Sequence, residues 1–150
     1  MQRRIIPGVI DGKQELCCIA PDASVAEAAK LMRARHVAAV LVTEGERLAG
    51  IVTERDVTYR VTAEDRDARE VRVREVMTDD PKTIAPDDTA GEALQLMRAG
   101  HFRHLPVVEN GRVVGMVSLR DLYEAVRASL EEDLQNAASF IQGETYGTSG

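Results

Sequence analysis

Apolar and polar positions follow one another along this chain in patterns that predict strands and helices. A short strand is predicted at residues 17–20. Residues 37–43 are almost continuously apolar, which predicts a β-strand buried on both faces. Residues 44–47 are polar and predict a turn, after which residues 48–52 predict the return strand of a hairpin. Residues 53–63 then predict a helix.

Two helix starts carry the signature of a capping box, in which a hydroxyl and a carboxylate each accept a hydrogen bond from the other residue's backbone N–H. Ser24 is followed three residues later by Glu27, and Thr89 by Glu92. Apolar residues recur at helical spacing after both hydroxyl residues. We therefore predict that a helix begins directly after each of them.

The whole pattern occurs twice. Residues 19–57, the first copy, align without a gap with residues 84–122, the second copy, and 18 of the 39 positions are identical. Repetition of this length indicates a duplicated structural unit. We predict an α/β (α+β) fold of two βαββα units packed about a pseudo-two-fold axis, because one unit alone is too small to bury its sheet well. Such a pair leaves two equivalent clefts between the units.

These boundaries predict five segments. We expect an N-terminal segment at 1–14, a first unit at 15–63, a polar connector at 64–79, a second unit at 80–128, and a C-terminal helix with a disordered tail at 129–150. The apolar stripe of the last helix has i, i+4 spacing and consists of Leu122, Val126, Leu130, Leu134, Ala138 and Ile141. Gly143 is a plausible end for that helix.

An apolar stripe that extends past its domain needs a partner surface. The partner is the back of this chain, a second copy or a different protein, and the sequence leaves all three open. We favour a homodimer, because closed two-fold dimers are the commonest assembly of small chains.

Composition narrows the class of function. The chain has 150 residues, 44% of them hydrophobic, and a net charge of −6. Negative charge disfavours nucleic acid and anionic membranes as partners. No apolar run is long enough to span a bilayer. The adjacent Cys17 and Cys18 are poorly placed to pair with each other and no export signal precedes them, so we predict free thiols and a cytoplasmic location.

A seven-residue motif at the end of each hairpin is the main candidate for chemistry. It reads GIVTERD at residues 50–56 and GMVSLRD at residues 115–121. The hydroxyl and the carboxylate three residues later match a capping box, so a purely structural role is a strong interpretation. The same geometry also suits a ligand, because a helix N-terminus attracts phosphate and a carboxylate can accept both hydroxyls of a ribose. Geometry alone does not decide between these.

The sequence resembles a tandem cystathionine-β-synthase-type (CBS) domain pair, often called a Bateman module. The resemblance rests on GIVTERD and GMVSLRD, on IAPDASVAEAAKLM and IAPDDTAGEALQLM, on REVMTDDPKTI and on RHLPVVENGRVVG. It covers roughly residues 15–128. The resemblance implies a disc-like pair of βαββα units that binds adenine nucleotides or related adenosyl ligands in clefts shared by both units.

The resemblance also implies the residues of each cleft, with the Asp holding ribose and the Thr or Ser touching phosphate. The Asp56 cleft would contain Thr53, Arg55 and Asp56 with Thr83, Ile84, Arg103, His104, Leu105 and Pro106. The Asp121 cleft would contain Ser118, Arg120 and Asp121 with Cys18, Ile19, Ala38, Ala39 and Val40. We expect the Asp56 cleft to be the better phosphate site, because Arg103 and His104 offer charge and donors where Ala38 and Ala39 offer none.

Metal binding and catalysis have weak support. His36 and His101 occupy the same position in the two copies, but duplication explains the match and the spacing fits no standard zinc site. No nucleophile–base set or pair of catalytic acids stands out. We therefore expect no metal and no required cofactor, and we do not expect an enzyme.

The resulting hypothesis is a stand-alone regulatory module that binds AMP, ADP or ATP and signals to a partner protein or an oligomer. NADH and S-adenosylmethionine are further candidate ligands. One rival is a protein-interaction module whose clefts are vestigial and whose motifs serve only as helix caps. The other rival is an enzyme with an unrecognised site. Titration of the purified chain with these ligands distinguishes the regulatory module from the interaction module.

Overall fold

The computed structural model describes the backbone of residues 2–148 and the side chains of residues 2–142. Its helices and strands are β1 Cys18–Ile19, α1 Val25–Arg35, β2 Ala39–Glu44, β3 Arg47–Thr53, α2 Glu54–Val57, α3 Val73–Val76, β4 Thr78–Asp79, α4 Ala90–Gly100, β5 His104–Glu109, β6 Arg112–Ser118 and α5 Leu119–Thr148. A π-helical turn, Thr58–Thr62, continues α2, and a similar turn, Ile5–Val9, lies near the N-terminus. The predicted α+β class is confirmed.

The two copies share a central hairpin and a parallel neighbour on its inner edge. In the first copy, β1 pairs in parallel with β2, which pairs antiparallel with β3, and β3 pairs antiparallel with β4. In the second copy, β5 and β6 form the equivalent hairpin. Ile84 bridges Val107 in parallel, as Ile19 pairs with Val42 sixty-five residues earlier. The duplicated unit predicted from the repeat is therefore present.

The predicted helix starts are confirmed at the level of single hydrogen bonds. The Ser24 hydroxyl accepts a hydrogen bond from the backbone N–H of Glu27 at 3.1 Å, but the structure gives no reciprocal bond to the Glu27 side chain, so the capping box predicted here is only half formed. Thr89 and Glu92 form a full capping box, with distances of 3.2 and 3.1 Å. Each of these helices ends at a histidine in the left-handed conformation, where backbone N–H groups bond to the last carbonyls.

Two hydrophobic clusters, one for each copy, form the core. Residues 39–42 of β2 have no exposed surface, so the prediction of a strand buried on both faces is confirmed. The first cluster includes Val25, Met32, Val40, Val52 and Val76. The second cluster includes Ile5, Ile84, Met97, Leu105 and Leu122.

Each copy is completed by the segment that precedes the other copy. The backbone N–H of Ile5 donates to Asp88 at 2.9 Å, and that of Ala90 donates to Arg3 at 2.8 Å, so the N-terminal segment packs on the second copy. Conversely, α3 buries Val73 and Val76 against the first copy. The chain is thus interlaced, and the sequence pattern did not predict this exchange.

The C-terminal helix α5 extends well past the second copy, as predicted. It continues through Gly143 to Thr148, so the helix end predicted at Gly143 is wrong. Leu122 is buried in the second cluster, whereas Leu130 and Leu134 are 58% and 70% exposed. The expected disordered tail begins at about residue 143. The structure gives residues 143–148 a helical backbone, and residues 149–150 lie outside the described part.

Candidate functional site

The first hydroxyl–carboxylate pair caps the N-terminus of α2. The Thr53 backbone N–H and its hydroxyl both donate to Asp56 Oδ2, at 2.8 and 3.1 Å. The Asp56 backbone N–H donates back to Thr53 Oγ1 at 3.3 Å. The Asp56 side chain is buried, with Oδ1 3.9 Å from Arg60 Nε. The capping interpretation of the motif is therefore correct, and the second carboxylate oxygen, Oδ1, has a long ion pair with Arg60 but no hydrogen bond.

The second pair repeats this arrangement at the start of α5. The Ser118 backbone N–H donates to Asp121 Oδ2 at 2.8 Å, and the Asp121 backbone N–H donates to Ser118 Oγ at 3.1 Å. Both carboxylates thus cap a helix start from matched positions of the repeat.

A cavity of about 490 Å³ opens at the Asp56 cleft, between the two copies. Its lining is contributed by the end of β3, the start of α2, the segment after β4, and the link from α4 to β5. These residues are Ala38, Ile51, Thr53, Glu54, Arg55, Asp56, Thr78, Asp80, Pro81, Lys82, Gly100, His101, Phe102, Arg103 and His104.

The lining contains three cationic and three acidic side chains. The acids are Glu54, Asp56 and Asp80. Arg55, Lys82 and Arg103 bring positive charge from three different elements to one cavity. The Arg55 guanidinium also lies 6.0 Å from the centre of the Tyr59 ring, close enough for a cation–π contact. Such a set suits an anionic ligand, because guanidinium and ammonium groups are the usual side-chain partners of phosphate.

His104 is the titratable group of the cavity whose environment is most perturbed. Burial lowers the pKa of its imidazole below the ordinary value of 6.5, and Asp121 and Glu54 oppose that shift in part. Arg103 acts in the same direction as burial. His104 is therefore neutral at pH 7, with donor and acceptor nitrogens that can hydrogen-bond a ligand.

Five residues predicted for the Asp56 cleft line the cavity. They are Thr53, Arg55, Asp56, Arg103 and His104. The other members of the predicted set are absent from the lining residues; they are Thr83, Ile84, Leu105 and Pro106. Ile84 belongs to the second core cluster and donates its backbone N–H to the carbonyl of Pro106 at 3.0 Å, so these two residues support the wall from behind.

Sequence reasoning missed several lining residues. Lys82, Asp80 and Thr78 lie in the segment that directly precedes the second copy, and they reach the cavity because β4 pairs with β3. Their nearness to Thr83 in the sequence was the available signal. Ala38 was expected in the Asp121 cleft and instead lines this cavity.

The residues predicted for the Asp121 cleft lie elsewhere. Ser118, Arg120 and Asp121 are at the start of α5. Cys18 and Ile19 form β1, and Ala39 is completely buried in β2. Burial raises the pKa of the Cys18 thiol, while a side-chain hydrogen bond with Thr43 opposes the shift. None of these residues borders the Asp56 cavity.

The described part of the chain lacks two features, a cluster of metal ligands and a helix that could span a membrane. Among those residues, no group of three or more His, Cys, Asp or Glu side chains is arranged to hold a metal ion. None of the described helices is both long enough and apolar enough to cross a membrane.

Comparison with known proteins agrees with this geometry. The family model of the CBS domain matches residues 2–62 and 73–128. The chain is 35% identical over 127 residues to the mitochondrial CBS domain-containing protein CBSX3 of Arabidopsis thaliana, a match that covers 81% of this chain and 62% of that protein. It therefore spans less than two thirds of that relative's length.

Two solved structures are similar to the whole pair of units. One is a signal-transduction protein with CBS domains from Burkholderia ambifaria, with 35% identity, a TM-score of 0.73, and coverage of 78% of this chain and 85% of that one. The other is the CBS domain protein PAE2072 from Pyrobaculum aerophilum in complex with AMP, with 27% identity, a TM-score of 0.68, and coverage of 73% and 84%. The family match covers most of the chain, and these folds agree with it. This chain belongs to the CBS-domain family, and it carries two CBS units in tandem.

Proposed function

We propose that this chain is a regulatory module that binds an adenine nucleotide, AMP, ADP or ATP, in the Asp56 cleft and signals to a partner protein or an oligomer. The cavity of about 490 Å³ carries the proposal, because it joins a capped carboxylate to cationic side chains of both copies. Its volume is within the usual range for small-molecule sites, roughly 300–1,000 Å³. The binding of AMP by the Pyrobaculum relative supports this choice of ligand class.

The proposal assigns separate roles to the two ends of the cavity. Asp56 Oδ2 is occupied by Thr53, while Oδ1 lies 3.9 Å from Arg60 Nε, beyond hydrogen-bond distance, and can accept ribose hydroxyls. Arg55 and Arg103 would hold the phosphates, and His104 can add a hydrogen bond. The adenine would lie against the apolar part of the wall. NADH and S-adenosylmethionine contain the same adenosyl group and remain in the ligand panel.

The rival function, a protein-interaction module with vestigial clefts, is favoured by one observation. Both hydroxyl–carboxylate pairs are already engaged as helix caps within the chain. A panel of AMP, ADP, ATP, NADH and S-adenosylmethionine separates the two functions by the melting temperature of the full chain. A ligand at about 100 times its dissociation constant stabilises the folded state by ~2.7 kcal/mol, a shift of several degrees.

Under the nucleotide proposal at least one member of the panel raises the melting temperature. The variant with both Asp56→Ala and Asp121→Ala then responds less at equal ligand concentration. If no member of the panel shifts the wild-type chain, the interaction module becomes the better account. A shift that is unchanged in the double variant would remove the ribose-holding role.

We also propose that two copies associate and that α5 contributes to the contact. Leu130, Leu134 and Phe140 are 58%, 70% and 67% exposed on α5. Fully burying each such side chain contributes on the order of 1.5–3 kcal/mol, so covering this helix is favourable. A second copy is the simplest cover that is always present with the chain.

Light scattering of the full chain and of a chain ending at Arg127 tests this assembly. We expect a dimer for the full chain and a weaker dimer or a monomer for the shortened one. The change of Leu130 and Leu134 to Gln should weaken the dimer in the same direction while keeping the length. A monomeric full chain at high micromolar concentration would contradict the proposal, and equal dimers in both lengths would place the contact away from α5.

A further inference from the structure

The Asp56 cavity and the Asp121 cleft can be compared position by position, because the two copies are offset by 65 residues without a gap. Asp80 and Gly100 both line the cavity. Their counterparts beside the Asp121 cleft are Glu15 and Arg35. At these two positions the cavity has an acid and a residue without a side chain, whereas the first copy has an acid and a long cation.

Glu15 and Arg35 meet in the structure. Arg35 Nη2 lies 3.3 Å from Glu15 Oε1, and the side chains of Arg35 and Glu15 are 36% and 82% exposed. Both charges also act on the Cys17 thiol, Arg35 lowering its pKa and Glu15 raising it, while burial has the largest effect and raises it. Cys17 is the counterpart of Lys82, a lining residue of the cavity. The ion pair thus lies close to Cys17, the position that corresponds in the first copy to a lining residue of the cavity.

The two charges are held by different copies. The Gln14 side chain, next to Glu15, pairs with the backbone of Met116 in β6, accepting from its N–H at 2.9 Å and donating to its carbonyl at 3.2 Å. This anchors Glu15 to the second copy. Arg35 is the last residue of α1, in the first copy. The ion pair therefore connects the end of α1 to the residue that follows the contact with β6.

We propose that the Glu15–Arg35 ion pair closes the Asp121 cleft, so that a nucleotide must break it to bind beside Ser118 and Asp121. This inference rests on the proposed nucleotide-binding function. The two copies are alike in their capping pairs but differ at this pair of positions. The Asp56 cleft lacks the equivalent pair because Gly100 has no side chain to offer Asp80.

Calorimetric titration of AMP into the full chain carrying Asp56→Ala tests the closure, because that change weakens the first cleft and leaves the second. Adding Arg35→Ala or Glu15→Gln should then tighten AMP binding by roughly two- to fivefold, the range expected when an exposed ion pair is removed. Exchanging the two charges, with Glu15→Arg and Arg35→Glu together, should return the affinity to that of the Asp56→Ala chain. Arg33→Ala, an exposed cation of the same helix, should leave it unchanged.

Adding Asp121→Ala to the Arg35→Ala variant should abolish the gain and thereby assign it to this cleft. Unchanged affinity in both opened variants would overturn the closure, and so would weaker binding in Arg35→Ala, which would make Arg35 a ligand contact. If the wild-type chain binds AMP while the opened variants show no gain, only this inference fails. If the wild-type chain binds none of the ligand panel, the proposed function fails with it.

Discussion

At the scale of single residues, one carboxylate can serve the fold and a ligand at once. Asp56 uses Oδ2 to accept hydrogen bonds from Thr53, which fixes the side chain at the start of α2. These bonds hold the side chain of Asp56, a residue of the cavity lining, in one orientation and thereby fix the direction of Oδ1. A ligand that used Oδ1 would find an acceptor already ordered, so less conformational entropy is lost on binding. Capping and binding are therefore compatible roles for this motif.

His104 makes the free energy of unfolding of the ligand-free chain depend on pH. Because its pKa is lowered by burial from the ordinary 6.5, the unfolded chain binds more protons than the folded one between the two pKa values. The free energy of unfolding should therefore fall as pH drops below about 6.5. Urea unfolding at pH 7.5, 6.5 and 5.5 measures this.

The variant His104→Ala, which introduces the residue present at the matched position Ala39, is the control for that pH effect. It should show a shallower loss of stability over the same pH range than the wild-type chain. Asp121 and Glu54 raise the pKa and Arg103 lowers it, so changing Arg103 to Ala should reduce the shift as well. An identical slope in wild type and His104→Ala would contradict the role given to burial.

At the scale of elements, the two copies complete the outer edge of the hairpin in different ways. In the first copy a strand, β4, pairs with β3 at Gly50 and Ile51. In the second copy the side-chain amide of Gln14 bonds to both backbone groups of Met116 and replaces that strand. A side-chain amide can do so because it carries one donor group and one acceptor, like a peptide unit.

Matched glycines test this difference. A Cβ on Gly50 would lie 2.7 Å from the Thr78 carbonyl oxygen and 2.7 Å from Met77 Sδ, whereas on Gly115 it would meet only side-chain ends, Ile10 Cδ1 at 2.9 Å and Gln14 Oε1 at 3.0 Å. We predict that Gly50→Ala lowers the free energy of unfolding by about 1–3 kcal/mol, because backbone must move. Gly115→Ala should cost less in the same urea experiment, and an equal or smaller cost at Gly50 would contradict this account.

Local sequence patterns predicted the elements that depend on neighbouring residues. The capping boxes, the hairpins and the repeat all follow from spacing within about forty residues. The exchange of flanking segments could not be predicted in this way, because Ile5 and Val73 reach their cores only through contacts distant in the sequence. For the same reason Lys82 and Asp80 were missed in the cavity, while Arg103 and His104 were found through the family resemblance.

At the scale of the whole molecule, the two copies of the repeat have similar backbones but different side chains around their capping pairs. The capping pairs remain nearly identical in both copies. Around them, Arg103 and His104 stand where the first copy has Ala38 and Ala39, and Arg35 stands where the second copy has Gly100. We infer that one cleft was retained as the principal nucleotide site. The cavity at that cleft is lined by residues of both copies, so a ligand bound there would contact both.

The central claim is that the Asp56 cleft binds an adenine nucleotide through Asp56. Calorimetric titration of AMP into the wild-type chain, Asp56→Ala and Glu124→Ala tests it most directly. Glu124 is an exposed carboxylate on α5 outside the cavity and serves as the matched control. We predict that Asp56→Ala loses about 1.5–3 kcal/mol of binding free energy, roughly ten- to a hundredfold in affinity, because a charged hydrogen bond to ribose is removed. Glu124→Ala should bind as the wild-type chain does, whereas equal AMP affinity in the wild-type chain and Asp56→Ala would contradict the claim.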